Sequence, residues 1–191
     1  MGRFSPESPD CRLQFAVRRT MMRSFVCAAL LLSASGLVFG QDSLVQAAAK
    51  PVTVTIKNVQ GQSVGTATLT PASKGVKITI NIKNLPPGQH SLHIHQVAKC
   101  EPPDFKSAGP HFGGGHSYGS VPAGDIPDFA LIVAADGTAH ATTIAPNVTV
   151  GTDDHSVFSN GGTAIVIHAV AGGTGAGAPP RIACSEITRP V

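Results

Sequence analysis

The chain has 191 residues and a formal net charge of +3, from 14 Lys and Arg against 11 Asp and Glu. Only 13% of its residues are charged, which argues against a nucleic-acid-binding domain because such a domain needs a dense basic patch. A hydrophobic share of 42% is enough to bury a core and excludes wholesale disorder, and 21 glycines with 15 prolines favour a turn-rich all-β protein.

The first 40 residues have the features of an export signal. Arg18, Arg19 and Arg23 precede an apolar run at 25–39 that ends in Val-Phe-Gly. A basic region, a short apolar stretch and a small residue at the cut are typical of a secretory signal peptide. The sequence therefore predicts a protein that is periplasmic or secreted.

The end of this signal divides the chain into three parts. We expect cleavage after Gly40 or, as the second choice, after Ala47. This gives a removable N-terminal extension at 1–40, a linker at 41–50 and the functional domain at 51–191. The alternative is a membrane anchor, but the apolar run is shorter than the roughly 20 residues that a span needs. We expect no membrane attachment after cleavage.

Removal of the leader changes the charge and the cysteine content. Residues 41–191 carry nine basic and nine acidic side chains, so the exported part is neutral. Cys11 and Cys27 lie in the leader, whereas Cys100 and Cys184 stay in the domain. In an oxidising compartment we expect the remaining pair to form one disulfide, with two buried thiols as the alternative.

Beyond the leader, the apolar pattern is that of β-strands. Alternation of Val and Ile with polar residues at 52–57 and 76–83 predicts half-buried strands. The other predicted strands are 63–70, 90–97, 129–135, 139–144, 164–169 and 182–187. Eight short strands with no helical run predict a sandwich or flattened barrel. Two long Gly/Pro-rich loops, at 99–128 and 170–180, are where a functional site is expected.

The histidines are the candidate chemical groups. His93 and His95 are two residues apart on a predicted strand, so both point to one face and form half of a transition-metal site. This pattern alone is weak, because two solvent-facing histidines would also produce it. His111 follows in a Gly-rich loop, and His168 ends an apolar strand, where a packed core histidine is a common alternative. Four such histidines in an exported β-protein favour a metal, and nitrogen-only ligation suits copper.

From about residue 52 to residue 187, the chain resembles the copper/zinc superoxide dismutases of exported bacterial type. The motifs that carry the resemblance are Gly-Gln-His-Ser-Leu-His-Ile-His at 88–95, the loop from Cys100 to His111, Gly-Asp-Ile-Pro at 124–127, Gly-Gly-Thr-Ala-Ile-Val-Ile-His-Ala at 161–169, and Arg-Ile-Ala-Cys at 181–184. The resemblance implies an all-β, eight-stranded Greek-key sandwich or flattened barrel of immunoglobulin-like type.

The resemblance also implies roles for individual residues. The implied copper ligands are His93, His95, His111 and His168. His90 would be a structural histidine that bonds backbone near the site. Arg181 would attract superoxide, the anionic substrate, while the metal carries the electrons that convert it to oxygen and hydrogen peroxide. One alternative is a non-catalytic copper buffer or carrier of the same fold, which has no need of Arg181. The other is a sandwich adhesion domain whose histidines have no such role.

The zinc half of the family's site departs from the pattern. The chain reads Pro-Ala-Gly-Asp where the family has His-x-Gly-Asp, so Pro122 stands in place of a zinc ligand. His111 and Asp125 are kept, and His116 is the candidate third zinc ligand. Three protein ligands could hold zinc with a water. A closed zinc site would need a fourth ligand, and His155 could supply it, but no motif points to that residue. We therefore expect copper as the cofactor and regard zinc as doubtful.

A second departure lies between His168 and Arg181. Only 12 residues separate them, and none is charged. The family has a longer, charged loop here, with an aspartate that links a copper histidine to a zinc histidine. Its loss should weaken the electrostatic steering of superoxide. We hypothesise an enzyme of the copper-only branch, with little or no zinc, and a neutral chain of this kind permits a monomer or a homodimer.

Overall fold

The computed structural model describes residues 50–113, 121–172 and 179–190, so the predicted leader lies outside the described residues. Within these ranges there are nine strands: β1 Val52–Asn58, β2 Ser63–Pro71, β3 Val76–Ile82, β4 Gly88–His90, β5 Leu92–His95, β6 Leu131–Val133, β7 Ala139–Ala145, β8 Thr163–His168 and β9 Arg181–Ile187. Two short 3-10 turns lie at Lys106–Ala108 and Ser159–Gly161. Among the described residues, no helix has the length and apolar character that crossing a membrane requires.

Seven of the strands form one antiparallel sheet in the order β5-β8-β9-β1-β2-β3-β7, and β4 pairs with β6. The strands follow from the alternation seen in the sequence: the apolar residues of β3 at 76, 78, 80 and 82 are buried, and the polar residues between them point outward. The sheet curls around one large apolar core, to which β6 adds Leu131 and Val133. The predicted all-β, barrel-like architecture is confirmed.

The strand predicted at 90–97 is divided in two at Ser91, which raises the strand number from eight to nine. β4 pairs with β6, whereas β5 pairs with β8 in the large sheet. Ser91 sits at this corner: its N–H donates to the Val170 carbonyl, and its carbonyl accepts the N–H of His168. The sequence does not reveal this division, because the alternation of apolar and polar residues continues through the point where the chain changes its pairing from β6 to β8.

β8 is buried along its whole length because both of its faces are covered. Ile165 and Ile167 face the main core. Ala164 and Val166 face a second, smaller cluster, made with Phe105, Ala108 and Cys184. The loop after β5 forms the cover of this outer cluster. The continuous apolar run that ends in His168 is therefore a fully buried strand.

Candidate metal centre

The structure brings together the four histidines that the sequence predicts to be copper ligands. One nitrogen of each of His93, His95, His111 and His168 lies within 4.8 Å of those of the others. β5 presents the first two from one face, and Leu92 and Ile94 point into the core. His111 joins the edge of β5 through a bridge to His95, and His168 ends the adjacent strand β8. Secondary structure thus converges four imidazoles on one point.

Backbone carbonyls fix the tautomers of two of these rings. Nδ1 of His95 lies 2.8 Å from the Gly109 carbonyl, and Nδ1 of His168 lies 3.0 Å from the Pro179 carbonyl. A carbonyl oxygen can only accept, so each Nδ1 carries the proton and each Nε2 keeps its lone pair. Both Nε2 atoms are buried and have no hydrogen-bond partner. Histidines that bind a metal commonly have this arrangement, in which one ring nitrogen donates a hydrogen bond to the protein and the other is free to ligate.

The other two rings complete the donor set. Nδ1 of His93 is also buried without a hydrogen-bond partner. His111 points Nδ1 at Asp125, 2.5 Å away, so its Nε2 is the free donor. The rings of His93 and His111 stack with centroids 4.2 Å apart. Buried polar atoms are normally paired, so three orphaned nitrogens in one cluster indicate a missing partner, and the nitrogen-only donor set fits copper.

Burial keeps these rings neutral. The pKa of His93 is lowered to about 4, mainly by burial and also by the neighbouring His111 and His168. The pKa of His95 falls to about 3, again mainly through burial, with Arg181 contributing. The pKa of His168 is lowered for the same reason. Neutral imidazole is the form that binds metal, so the cluster is ready to ligate at neutral pH.

Gly124 places Asp125 against His111. Its carbonyl accepts the N–H of Ile94 at 2.9 Å, and its own N–H donates to the Phe112 carbonyl at 2.8 Å. A Cβ on residue 124 would lie only 2.0 Å from the backbone oxygen of Ile94. Only glycine permits this close approach of two backbones. In the Gly-Asp pair of the sequence motif, the glycine therefore lets the backbone lie against β5, and this places the Asp125 side chain next to His111.

Arg181 lies beside the cluster, at the start of β9 and opposite His168. Its guanidinium donates to the Phe105 carbonyl at 2.7 Å and to the Gly109 carbonyl at 2.9 Å. Burial lowers its pKa, but a guanidinium stays charged. The Gly109 carbonyl therefore serves two predicted site residues, Arg181 and His95. Sequence reasoning missed this role, and the only signal was the Gly-Pro-His run that ends at His111.

The predicted disulfide is present and anchors the same loop. Cys100 and Cys184 are bonded, and they are 84 positions apart in the chain. The loop from residue 101 to residue 109 is thereby held against β8 and β9, with Phe105 buried beneath it. The disulfide thus anchors the loop that contains the Phe105 and Gly109 carbonyls, which accept the hydrogen bonds from Arg181.

The remaining histidines that the structure describes, His90, His140 and His155, are not members of the four-histidine cluster. His90 is buried, and its ring nitrogens lie 2.9 Å from the His168 carbonyl and 2.8 Å from the Pro86 carbonyl, so it bonds backbone next to the site. His140 is exposed on β7 and pairs with Asn81. His155 is exposed in the loop before β8 and does not belong to the cluster. His116, the candidate zinc ligand, lies outside the described residues.

Comparison with known proteins agrees with this geometry. Residues 63–187 match the family described as copper/zinc superoxide dismutase (SODC). Superoxide dismutase [Cu-Zn] 2 of Aquifex aeolicus is 36% identical over 147 residues, which cover 73% of this chain and 79% of the relative. Superoxide dismutase [Cu-Zn] of Caulobacter vibrioides is 33% identical over 155 residues, covering 71% of this chain and 84% of the relative.

A solved structure is also similar. A double mutant of a SOD-like protein from Bacillus subtilis superposes with a TM-score of 0.64 at 29% identity. The match covers 72% of this chain and 97% of that chain. The match to the family spans the strands from β2 to β9 and all four clustered histidines. The chain therefore belongs to the copper/zinc superoxide dismutase family.

Proposed function

We propose that this chain is a copper-dependent superoxide dismutase whose copper ligands are His93, His95, His111 and His168. The observation that carries the proposal is the set of buried, unpartnered ring nitrogens on three of these residues. Bound copper would supply the one-electron chemistry, taking an electron from one superoxide ion to give oxygen and returning it to a second, which with two protons becomes hydrogen peroxide. The protein's own groups hold the imidazoles neutral and oriented for that reaction.

Arg181 is the residue that we assign to substrate binding. It is a permanent cation next to His95 and His168, and two backbone carbonyls hold it in place. Two of its five N–H groups donate to those carbonyls, which leaves donors for an anion. Superoxide is a small anion, and a charge-assisted hydrogen bond from a fixed guanidinium would both attract and orient it.

We further propose that the centre works with little or no zinc. In the family's pattern, His111 and Asp125 would both ligate zinc, with His116 as the remaining candidate. Here the histidine and the aspartate satisfy each other directly. Pro122, at the position where the family has a histidine, offers no ligating side chain. Metal analysis after refolding with both ions tests this: copper alone is expected, and one zinc per chain would overturn the zinc-poor assignment.

Superoxide decay followed by stopped flow tests the activity. The copper-loaded chain should accelerate the decay catalytically, and His168→Ala should lose both copper and activity. His140→Ala is the matched control, because that histidine is exposed on β7 and lies outside the cluster. Full activity in His168→Ala would contradict the ligand assignment. Copper binding without turnover would instead establish the alternative, a copper buffer or carrier.

The site of action that we propose is outside the cytoplasm, in the periplasm or as a secreted protein. The Cys100–Cys184 disulfide supports this, because such bonds persist in oxidising compartments. The arginine-flanked apolar run at 18–39 supports it as well. N-terminal sequencing of the exported protein should find Gln41 or Ala48 first, leaving the proposed domain at 51–191 intact. An uncleaved chain in the cytoplasm would contradict the proposal.

The assembly that we propose to test is a homodimer. Val121, Ile132 and Val170 are each more than half exposed, and each is an apolar side chain that a second copy could cover. Sedimentation equilibrium of the copper-loaded chain measures the state directly. A mass of one chain at all accessible concentrations would exclude the dimer.

A further inference from the structure

Charge is segregated along the chain and therefore across the fold. Residues 50–100 contain six lysines and neither Asp nor Glu. Every acidic residue after Asp42 lies beyond residue 100. The positive charge of residues 50–100 and the negative charge beyond residue 100 nearly cancel. The net charge of the domain is therefore close to zero, although the part formed by β1, β2 and β3 is basic.

The lysines of these strands lie on the solvent side of the sheet. Lys57 on β1 and Lys77 on β3 are exposed, and so are Lys50 before β1, Lys74 in the turn between β2 and β3, and Lys83 directly after β3. Among the described residues, the lysines found in ion pairs are Lys99, directly before Cys100, and Lys106, in the loop that follows it. The five lysines of the sheet thus have no carboxylate partner within the described part of the chain.

Between these lysines run rows of uncharged hydrogen-bonding groups. The strand register aligns Thr53, Thr68, Thr79 and Thr142 across β1, β2, β3 and β7. Hydroxyls in this row lie 2.9 Å apart between β1 and β2 and 3.4 Å apart between β3 and β7. The next row contains Thr55, Thr66, Asn81 and His140. We call this surface, with Lys57, Lys77 and Lys83, the lysine–threonine face.

The chemistry of this face selects one kind of partner. It has no Phe, Tyr or Trp side chain on which a nucleic-acid base could stack, and its one ring is the imidazole of His140, which is hydrogen-bonded to Asn81. Its one large exposed apolar side chain is Ile144, too little for insertion into a lipid surface. Cations surrounding hydroxyl and amide groups match a polymer with carboxylates and many hydroxyls. We propose that the lysine–threonine face binds an acidic polysaccharide.

The position of the face agrees with a tethering role that leaves the metal centre free. The face is carried by β1, β2, β3 and β7, whereas the histidines come from β5, β8 and the residue that bridges to β5, so the two surfaces share no strand. A polymer bound on β1, β2, β3 and β7 would keep the protein in one place by long-range charge attraction without contact to the cluster. Superoxide turnover should therefore be unchanged in the bound protein.

Retention on immobilised polygalacturonate tests the proposal with the full, copper-loaded chain. Retention is expected at low salt and should decline steeply as salt rises, because binding releases counterions. The triple variant Lys57→Gln, Lys77→Gln, Lys83→Gln should bind about tenfold more weakly or worse. The double variant Lys99→Gln, Lys106→Gln, which changes the ion-paired lysines, is the matched control and should bind like the native chain. Equal loss in both variants, or no retention at low salt, would overturn the proposal.

A second pair of measurements separates the polysaccharide from other polyanions. Thr68→Val with Thr79→Val keeps shape and strand preference but removes two hydroxyls, and it should weaken binding several-fold with the salt dependence unchanged. Duplex DNA and anionic phosphatidylglycerol vesicles are the competitors. Tighter binding of either one, or no effect of the threonine variant, would show general charge attraction and refute polysaccharide recognition.

Discussion

His111 and Asp125 form a direct pair, with Nδ1 of the ring 2.5 Å from a carboxylate oxygen. Both side chains are mostly covered, at 22% and 29% exposure. The carboxylate accepts the Nδ1 proton, fixes the tautomer and makes the opposite nitrogen a stronger donor. The aspartate that would ligate zinc in the family's pattern is here positioned as a partner of a proposed copper ligand. Two predictions follow from this contact.

The first prediction concerns the charge of this partner. Asp125→Asn keeps an acceptor oxygen but removes the negative charge, and it should lower copper affinity about 10- to 100-fold. Competition with a chelator of known affinity measures the change. Asp128→Asn is the control, since Asp128 is exposed and lies outside the metal cluster. Equal copper affinity in both variants would show that Asp125 has no influence on the metal.

The second prediction concerns the backbone that positions the pair. In Gly124→Ala the new methyl would overlap the backbone oxygen of Ile94, so the segment from 123 to 125 must move away from β5. We expect a loss of at least about 2 kcal/mol of stability and weaker copper binding. Thermal unfolding with and without copper measures both effects. A variant with native melting temperature and affinity would disprove the requirement for glycine.

The sequence predicts the strands and the pairing of His93 with His95 because both follow from local rules, whereas His111 and His168 are assigned as copper ligands through the family resemblance. Alternation defines β1, β2 and β3, and the spacing of His93 and His95 places both rings on one face. The connections between distant segments are not predictable in this way. The Gly109 carbonyl that receives both His95 and Arg181 depends on how the disulfide loop folds back. The net charge of the domain does not reveal the basic face, because residues 50–100 are basic and residues 101–191 are acidic.

The third prediction is a pH dependence of the metal-free protein. His93 and His95 have pKa values of about 4 and about 3 when folded, against 6.5 for a free imidazole. Below pH 6.5 the unfolded chain therefore binds more protons than the folded one, and the free energy of unfolding falls as pH falls. The free energy of unfolding should therefore decline as the pH falls from about 6.5 towards 4. Above that range the contribution of the two neutral rings should be fully present.

Urea unfolding of the metal-free protein at several pH values measures this slope. His95→Gln should flatten it, because the variant lacks one of the rings that titrates only after unfolding. His140→Gln changes an exposed histidine outside the cluster and serves as the control. A free energy of unfolding that stays constant across the range would contradict the assigned burial of these rings.

The fourth prediction concerns the disulfide. Cys100→Ser with Cys184→Ser opens a loop closed across 84 residues, which the chain-entropy treatment values at about 4–5 kcal/mol of stability. Turnover should fall as well, because the loop supplies the Phe105 and Gly109 carbonyls that hold Arg181. Unfolding curves and stopped-flow rates separate the two effects. A less stable protein with undiminished turnover would show that the loop holds its place without the bond.

The last prediction separates the charge of Arg181 from its geometry. Arg181→Lys keeps the cation but loses the planar fork that spans two carbonyls, so the charge is no longer fixed beside the histidines. We expect kcat/KM for superoxide to fall about tenfold, with copper content unchanged, and Arg181→Ala to fall further. Arg189→Lys is the matched control, because that arginine bonds the Gly151 carbonyl and stacks over Phe158. If Arg181→Lys turned over superoxide at the native rate, a positive charge alone would suffice, and the two carbonyl contacts would serve the loop and not the substrate.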